Sequence, residues 1–315
     1  MSSLLHVRAV VPERLHRALL DDLREHVAVC NIVVVAGVAD EPEGHLVLFD
    51  VVREAADEIV ALLQAHDVHR EGAFSLEHTE FSMGAGSDRA ARLAPGDAEG
   101  AVIWSEVKET VAADSGLSIQ FLAFFLVGSL IAAVGVLTDS PILIVGAMVV
   151  GPEYGSLAAM AFGLHARDWP LLKRGAVTFT VGTIAAIAIA CLLGVALRAI
   201  DRIPPTYIPG RPLTGFIAQP DFFAPIVAAA AAVAGVLSLT LTRTGTLVGV
   251  LISVTTIPAI ADIGLGIATT NADEALGSLR QLTINVVCLV VVGAITLSMQ
   301  RSLRGRYQQA PHHRR

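Results

Sequence analysis

An apolar stretch with a polar break at its centre constrains this chain more than any other feature. Residues 141–164 number about 24, enough to cross the hydrocarbon core of a bilayer at about 1.5 Å per residue. The middle of the stretch contains Gly151, Pro152, Glu153 and Gly155, which a helix surrounded by lipid seldom carries. Because proline removes a backbone donor and clashes with the preceding turn, the sequence predicts a kink or break here.

Glu153 would then lie near the middle of the membrane, where an ionised carboxylate requires a partner, a proton or water. Non-helical backbone at this depth is tolerated only within protein or beside a water-filled cavity. Two interpretations follow. The stretch is either a proline kink with a neutral glutamate packed between helices, or a site for a solute or an ion.

The composition indicates an integral membrane protein. Hydrophobic residues make up 54% of the 315 residues, charged residues only 16%, and the mean hydropathy is +0.64. A soluble domain carries about 25% charged residues. The net charge of −7 arises mostly from the N-terminal part, so no nucleic-acid partner is expected. The three cysteines lie in separate segments and predict no disulfide framework: Cys30, Cys191 and Cys288.

Residues 1–83 have the pattern of a soluble α+β domain. Leu4–Val11 alternates as a strand does, and Pro12 suits the start of a helix with leucines at four-residue spacing. The order βαββαβ predicts a cytosolic ferredoxin-like domain. Its role is expected to be either ligand sensing or assembly of a homo-oligomer, which fold alone does not decide. The later predicted elements are strands Val29–Ala36, His45–Val52 and Phe74–Phe81 and helix Arg53–His66.

No metal site and no cofactor are predicted from the sequence. Three histidines of the front domain could be imagined as ligands, but they lie at a helix end, in a loop and on an open strand, without cysteine support. They are expected to be solvated surface residues: His66, His69 and His78.

The rest of the chain is predicted to be mostly membrane-embedded. A linker, residues 84–100, and an amphipathic juxtamembrane helix, residues 101–115, lead to a six-span domain, residues 116–300, and a basic cytosolic tail, residues 301–315. The six apolar segments are 118–137, 141–164, 175–197, 222–241, 245–268 and 280–299.

Charge sets the expected orientation of these spans. No signal-peptide pattern opens the sequence, and basic residues favour an orientation with both termini in the cytoplasm of a plasma membrane, the bacterial inner membrane. Four arginines are then expected in outer loops: Arg198, Arg202, Arg211 and Arg280.

The second and fifth apolar segments resemble each other. Residues 145–163 align with residues 248–266, because both begin with Val-Gly, meet a helix breaker near the middle and end in glycine. Each is the middle member of three segments. An odd number of spans in each half makes the second half enter the membrane from the opposite side, which predicts an inverted 3+3 repeat with broken second and fifth helices. Paired breaks of this kind indicate midplane substrate sites in secondary transporters.

The sequence therefore predicts a solute or ion site where the two broken segments meet. Thr255 and Thr256 could contact the solute, or their hydroxyls could bond back to their own helix. Asp262 is expected nearer the outer face, and Asp139 is expected to cap the second segment. The predicted site residues are Gly151, Pro152, Glu153, Tyr154, Gly155, Ser253, Thr255, Thr256, Pro258 and Asp262.

The stretch Thr138-Asp-Ser-Pro-Ile-Leu-Ile-Val-Gly-Ala-Met148, with the Gly-Pro pair that follows, resembles a family of uncharacterised bacterial and archaeal membrane proteins. This is the domain-of-unknown-function family numbered 389. Residues 247–266 resemble its second signature, and the resemblance covers about residues 115–300. Family members usually read Ser-Pro-Leu-Met-Gly-Pro where this chain has Gly-Pro-Glu-Tyr-Gly-Ser from Gly151. The resemblance implies the membrane fold but no activity, and a mechanism common to the family does not rest on Glu153.

Two functions are considered. The first is a membrane transporter of a small solute or ion, coupled to an ion carried by Glu153. The second is a ligand-sensing membrane protein or a pore gated by the N-terminal domain. An enzyme is not expected, because the chain has no His-Glu-x-x-His, no Gly-x-Ser-x-Gly and no Gly-rich loop ending in Gly-Lys-Ser/Thr. The expected partners are membrane lipid, a small solute or ion, and further copies of the chain.

Overall fold

The computed structural model describes residues 4–79, 84–86, 89–90, 102–204, 207, 211–240 and 256–303, and the backbone of residues 304–309. Most of the predicted 84–100 linker, the end of the basic tail, Ser253 and Thr255 lie outside the described residues. The chain divides into two compact units, Met1–Val107 with Leu303–Arg315, and Lys108–Ser302.

The first unit contains a small antiparallel sheet of four strands, in the order β2-β3-β1-β4. The strands and helices follow one another in the predicted order. The strands are β1 Leu4–Val11, β2 Val29–Asp40, β3 Glu43–Val52 and β4 Ala73–His78. The helices are α1 Glu13–Glu25, α2 Ala56–Ala65 and α3 Val68–Glu71.

Strand β2 runs four residues past its predicted end at Ala36. Gly37 adopts a φ of 63°, and the pairing of β2 with β3 shifts register between Val35 and Ala39. A glycine in the left-handed region is a common way to build a β-bulge. The chain therefore passes the glycine without leaving the sheet, and Asp40 pairs with Glu43.

Helices make up the rest of the described chain. Three of them are long and apolar enough to cross a membrane: α5, α8 and the Ala272–Leu303 part of α11. The predicted fourth and fifth spans correspond to α9 and α10, whose described parts have 17 and 12 residues. The helices are α4 Trp104–Asp114, α5 Ile119–Leu137, α6 Pro141–Val150, α7 Glu153–Ala166, α8 Trp169–Ala199, α9 Ala224–Thr240, α10 Ile257–Ala268 and α11 Ala272–Gln309.

Helices α6 and α7 form a further candidate span that is broken at its centre. They are bent by 63° relative to each other. Gly151 is extended, with φ −65° and ψ 130°, and Pro152 precedes the first turn of α7. The break arises where the sequence predicts it, because proline has no N–H to continue α6.

Helix α10 lies at the centre of the second unit. All its residues except Ile267 are buried, and it packs against α5, α6 and α8. Small residues allow its backbone to approach its neighbours, as is usual between membrane helices. A Cβ atom on Gly264 would lie 2.6 Å from the carbonyl oxygen of Ile187 and 2.7 Å from the Cβ of Ala190.

We expect Gly264→Ala to destabilise the protein by about 1–3 kcal/mol, because the added methyl group must separate α10 from α8. The measurement is the thermal unfolding midpoint in detergent, followed by circular dichroism. Gly146→Ala is the matched control, since a Cβ on Gly146 meets nothing within 4 Å. Equal midpoints for the two variants would show that α8 and α10 do not pack as described.

The turns after α7 and after α10 share one design. Arg167 and Thr270 adopt left-handed backbone conformations, with φ of 56° and 59°. The side chains of Asp168 and Asn271 follow, and each accepts a hydrogen bond from the backbone N–H three residues further on. The two turns therefore start α8 and α11 in the same way.

Candidate functional site

Glu153 and Thr256 meet at the centre of the second unit. The Thr256 hydroxyl donates a hydrogen bond of 2.6 Å to Oε1 of Glu153, and neither residue is exposed. Glu153 is the first residue of α7, and Thr256 precedes the first residue of α10 without capping its own helix through its side chain. The Thr256 hydroxyl thus bonds to the first residue of α7 rather than back to its own helix.

The N-terminal ends of α7 and α10 converge on the Glu153 carboxyl group. Each helix N-terminus acts as about half a positive charge and presents backbone N–H groups without partners inside the helix. A carboxylate is favoured in such a place. In secondary transporters, broken helices direct their N-terminal ends toward anionic groups at the centre of the membrane.

Other predicted residues of the first half surround this contact. Gly151 and Pro152 form the break and are half-buried. The Tyr154 hydroxyl donates to the carbonyl oxygen of Gly235 in α9 at 3.0 Å. Gly155 is buried, and a Cβ there would lie 2.5 Å from the carbonyl oxygen of Asp114, so its lack of a side chain permits close packing.

In the second half, Pro258 is buried at the second position of α10. The structure does not describe Ser253 and Thr255. Helix α5 closes the site from another side, since a Cβ on Gly128 would lie 3.3 Å from Cδ1 of Ile257 and 3.9 Å from the Cα of Gly151.

Asp262 belongs to a second polar cluster. Two hydrogen bonds of 3.1 Å join its carboxylate to the Arg211 guanidinium, and the Ser278 hydroxyl donates to it at 2.6 Å. Arg211 also forms an ion pair with Glu274. The side chains of Arg211 and Asp262 are 2% and 0% exposed. Asp262 is six residues beyond Thr256, about 9 Å along α10, and has its own set of partners.

Arg211 is the site residue that sequence reasoning missed. It was expected in an outer loop, yet it is buried at the start of the segment 211–217. The signal was Asp262 itself, because a carboxylate inside an apolar segment requires a partner. The sequence offers several arginines for this role and does not distinguish among them.

Asp139 also binds the same segment, at Leu213 and Thr214. Its carboxylate accepts hydrogen bonds from the backbone N–H and the hydroxyl of Thr214, both at 2.8 Å, and from the N–H of Leu213 at 3.3 Å. Partial burial acts to raise the pKa of Asp139, but these hydrogen bonds lower it overall. The expectation that Asp139 caps the second span is wrong, since Ser140 precedes α6 and Asp139 bonds to the segment instead.

In the described part of the chain, no group of three or more histidine, cysteine, aspartate or glutamate side chains is arranged to hold a metal ion. The polar side chains of the two clusters bond to one another, Glu153 to Thr256 and Asp262 to Arg211 and Ser278. The arrangement can accept or release a proton or a cation at Glu153, and it offers a buried ion pair at Asp262.

Three helices long and apolar enough to cross a membrane, and a fourth candidate span broken at its centre, indicate a membrane protein. Residues 148–291 match the sequence model of the family described as Domain of unknown function (DUF389), which confirms the predicted resemblance. The matched region contains Glu153, Arg211, Thr256 and Asp262.

A relative in Methanocaldococcus jannaschii, Uncharacterized protein MJ0678, is 23% identical over 192 residues. The match covers 59% of this chain and 58% of the relative, so this chain spans less than two thirds of that protein. No solved structure matches the chain.

Proposed function

We propose that this protein is a membrane transporter of a small solute or ion, in which Glu153 carries a coupling proton or cation. The observation that carries the proposal is the buried Glu153 carboxyl group between two helix N-termini, bonded by Thr256 at 2.6 Å. Burial opposes a charge on this group, whereas the helix ends and the hydroxyl favour it. A carboxyl group under such opposing influences is suited to exchange a proton or a cation.

We also infer that the membrane domain is an inverted 3+3 repeat of six spans. Glu153 and Thr256 are 103 residues apart and occupy equivalent positions in the alignment of residues 145–163 with 248–266. Contact between equivalent residues is expected where a pseudo-two-fold axis passes through a site. The same spacing separates the first residues of α8 and α11, Trp169 and Ala272.

Reciprocal contacts support the same inference. Tyr154, which follows Glu153, bonds to Gly235 of α9, the first helix of the second half. Ile257, which follows Thr256, packs on Gly128 of α5, the first helix of the first half. Each broken segment therefore contacts the first helix of the other half.

The proposed protein lies in the plasma membrane with both termini in the cytoplasm, has a ferredoxin-like front domain and forms a homo-oligomer. Inverted repeats permit alternating access by movement of one half against the other around a fixed site. Neutralising Glu153 with a proton or cation would lower the free energy needed to expose it on the other side.

The test is ion flux into proteoliposomes. Vesicles containing a pH-sensitive dye are given an inside-negative potassium diffusion potential with valinomycin, and a parallel set reports sodium with a sodium-sensitive dye. We expect one of the two ions to enter faster than into empty vesicles. Glu153→Gln removes the exchangeable charge and is expected to slow this entry at least tenfold.

Glu109→Gln is the control, because Glu109 is an exposed carboxylate on α4. Its vesicles should behave as wild type. Entry of neither ion above the empty-vesicle rate, or entry into Glu153→Gln vesicles at the wild-type rate, would contradict the proposal.

A ligand-sensing protein or gated pore is the second candidate. The observation favouring it is that the first unit has a buried core of its own, which includes Leu19, Phe49 and Ile59. A chain that starts at Val102 separates the candidates. A transporter should keep its gradient-driven flux without the front domain, whereas a pore gated by that domain should lose control of its opening.

A further inference from the structure

We propose that a cavity at the start of α9 binds a small organic ammonium ion with an apolar body. The cavity has a volume of about 220 Å³ and lies among the end of segment 211–217, the first turns of α9 and α10, and α11. The cavity is open on one side, since Phe216, Phe223 and Val227 of its lining are more than half exposed, and a benzene ring needs about 150 Å³. The space therefore fits a single ring with a short polar substituent.

Gln281 supplies an acceptor on the cavity lining. Its side chain is 6% exposed, and its Nε2 donates to Oδ1 of Asn285 at 3.3 Å. Its Oε1 has no hydrogen-bond partner within the part of the chain that the structure describes. This oxygen is covered in the structure, so a ligand N–H reaches it once the Gln281 amide turns toward the cavity, and the turn replaces an unpaired buried oxygen by a hydrogen bond.

Other residues that line the cavity also favour a positively charged ligand. The Asp221 carboxylate lies at the start of α9, where its Oδ1 accepts from the N–H groups of Phe223 at 2.9 Å and Ala224 at 3.1 Å. The rings of Phe216 and Phe223 belong to the lining, and aromatic faces attract ammonium groups. None of the described lining residues is a lysine, arginine or histidine.

The corresponding place in the first half lacks this chemistry. The residues 103 positions earlier than Gln281 and Asp221 are Thr178 and Ser118. The Thr178 hydroxyl is satisfied, since it donates to the carbonyl oxygen of Ser115 at 2.9 Å. Ser118 caps α5 without a charge. The acidic group and the unpaired acceptor therefore occur only in the second half, as a specialised binding site would require.

The experiment measures binding of three probes of similar size to the full chain in lipid nanodiscs, by ligand-observed NMR titration. We expect benzylammonium to bind at least tenfold more tightly than benzyl alcohol, and benzoate to show no saturable binding. Partition into lipid gives the reverse order, because the uncharged alcohol enters a bilayer more readily than either ion. The order of affinities therefore separates a site from partition.

Three variants locate the binding. Asp221→Asn keeps a good helix cap but removes the charge, and should weaken benzylammonium binding at least fivefold without affecting benzyl alcohol. Gln281→Leu should weaken both probes, and Val227→Trp should fill the cavity and abolish binding. Tighter binding of benzyl alcohol than of benzylammonium, or unchanged affinities in Asp221→Asn and Val227→Trp, would overturn the proposal. The readout does not depend on ion flux.

Discussion

Replacement of Arg211 by methionine is expected to destabilise the second unit by about 3–5 kcal/mol, because it leaves the buried Asp262 carboxylate without its cation. Asp262 loses both hydrogen bonds from the guanidinium, and Glu274 loses its ion pair. Methionine fills much of the same space, so the loss is electrostatic rather than a packing defect. The measurement is the thermal unfolding midpoint in detergent, followed by circular dichroism.

Three further variants test whether loss of the buried ion pair causes this destabilisation. Arg202→Met removes an exposed arginine of the loop between α8 and α9 and should leave the midpoint unchanged. Arg211→Lys keeps the charge but not the two parallel hydrogen bonds, so its midpoint should be intermediate. Asp262→Leu in the Arg211→Met background should recover part of the loss. A shift for Arg211→Met no larger than that for Arg202→Met would contradict the buried ion pair.

The segment 211–217 connects parts of the membrane unit that are distant in sequence. Arg211 attaches it to α10 and α11, and Asp139 attaches it to the turn between α5 and α6. A movement of α10 relative to α5 would therefore strain these two polar contacts. In a transporter that works by alternating access, the contacts of segment 211–217 would stabilise one of the two conformations.

Much of the central site could be predicted from local sequence rules. A proline inside an apolar segment predicts a break whatever surrounds it, and the break occurs at Pro152. The similarity of residues 145–163 to 248–266 predicts one site that includes Glu153 and Thr256, and in the structure these two side chains bond to each other. Both predictions need only the residues of one segment, or of two segments that resemble each other.

The rest depends on the path of an irregular segment, which local rules do not give. Asp262 clearly required a partner, but Arg198, Arg202, Arg211 and Arg280 were all available in loops. Segment 211–217 has no helical or strand period to fix its position. Its two anchors lie 51 and 75 residues away in sequence. For the same reason Asp139 was assigned to the helix next to it rather than to Thr214.

Thr256→Val is expected to destabilise the protein by about 1–3 kcal/mol, because it leaves a buried oxygen of the Glu153 carboxyl group without its donor. Valine has nearly the shape of threonine, so the change removes the hydroxyl donor at Oε1 of Glu153 and little else. Thr256→Ser is the matched control. It keeps the hydroxyl and should lose less, since only a methyl group is removed. The readout is again the unfolding midpoint in detergent.

A double-mutant cycle with Glu153→Gln tests whether the loss arises from this pair. In the Glu153→Gln background the partner is a neutral amide, so Thr256→Val should be less destabilising, by about 1 kcal/mol, than in the wild type. If Thr256→Val is equally destabilising in both backgrounds, the hydroxyl does not distinguish a carboxyl group from an amide, and Glu153 lacks the charge that the proposed transport site requires. If Thr256→Val is less destabilising in the Glu153→Gln background and also slows ion entry into vesicles, the contact between Glu153 and Thr256 contributes both to stability and to ion transfer.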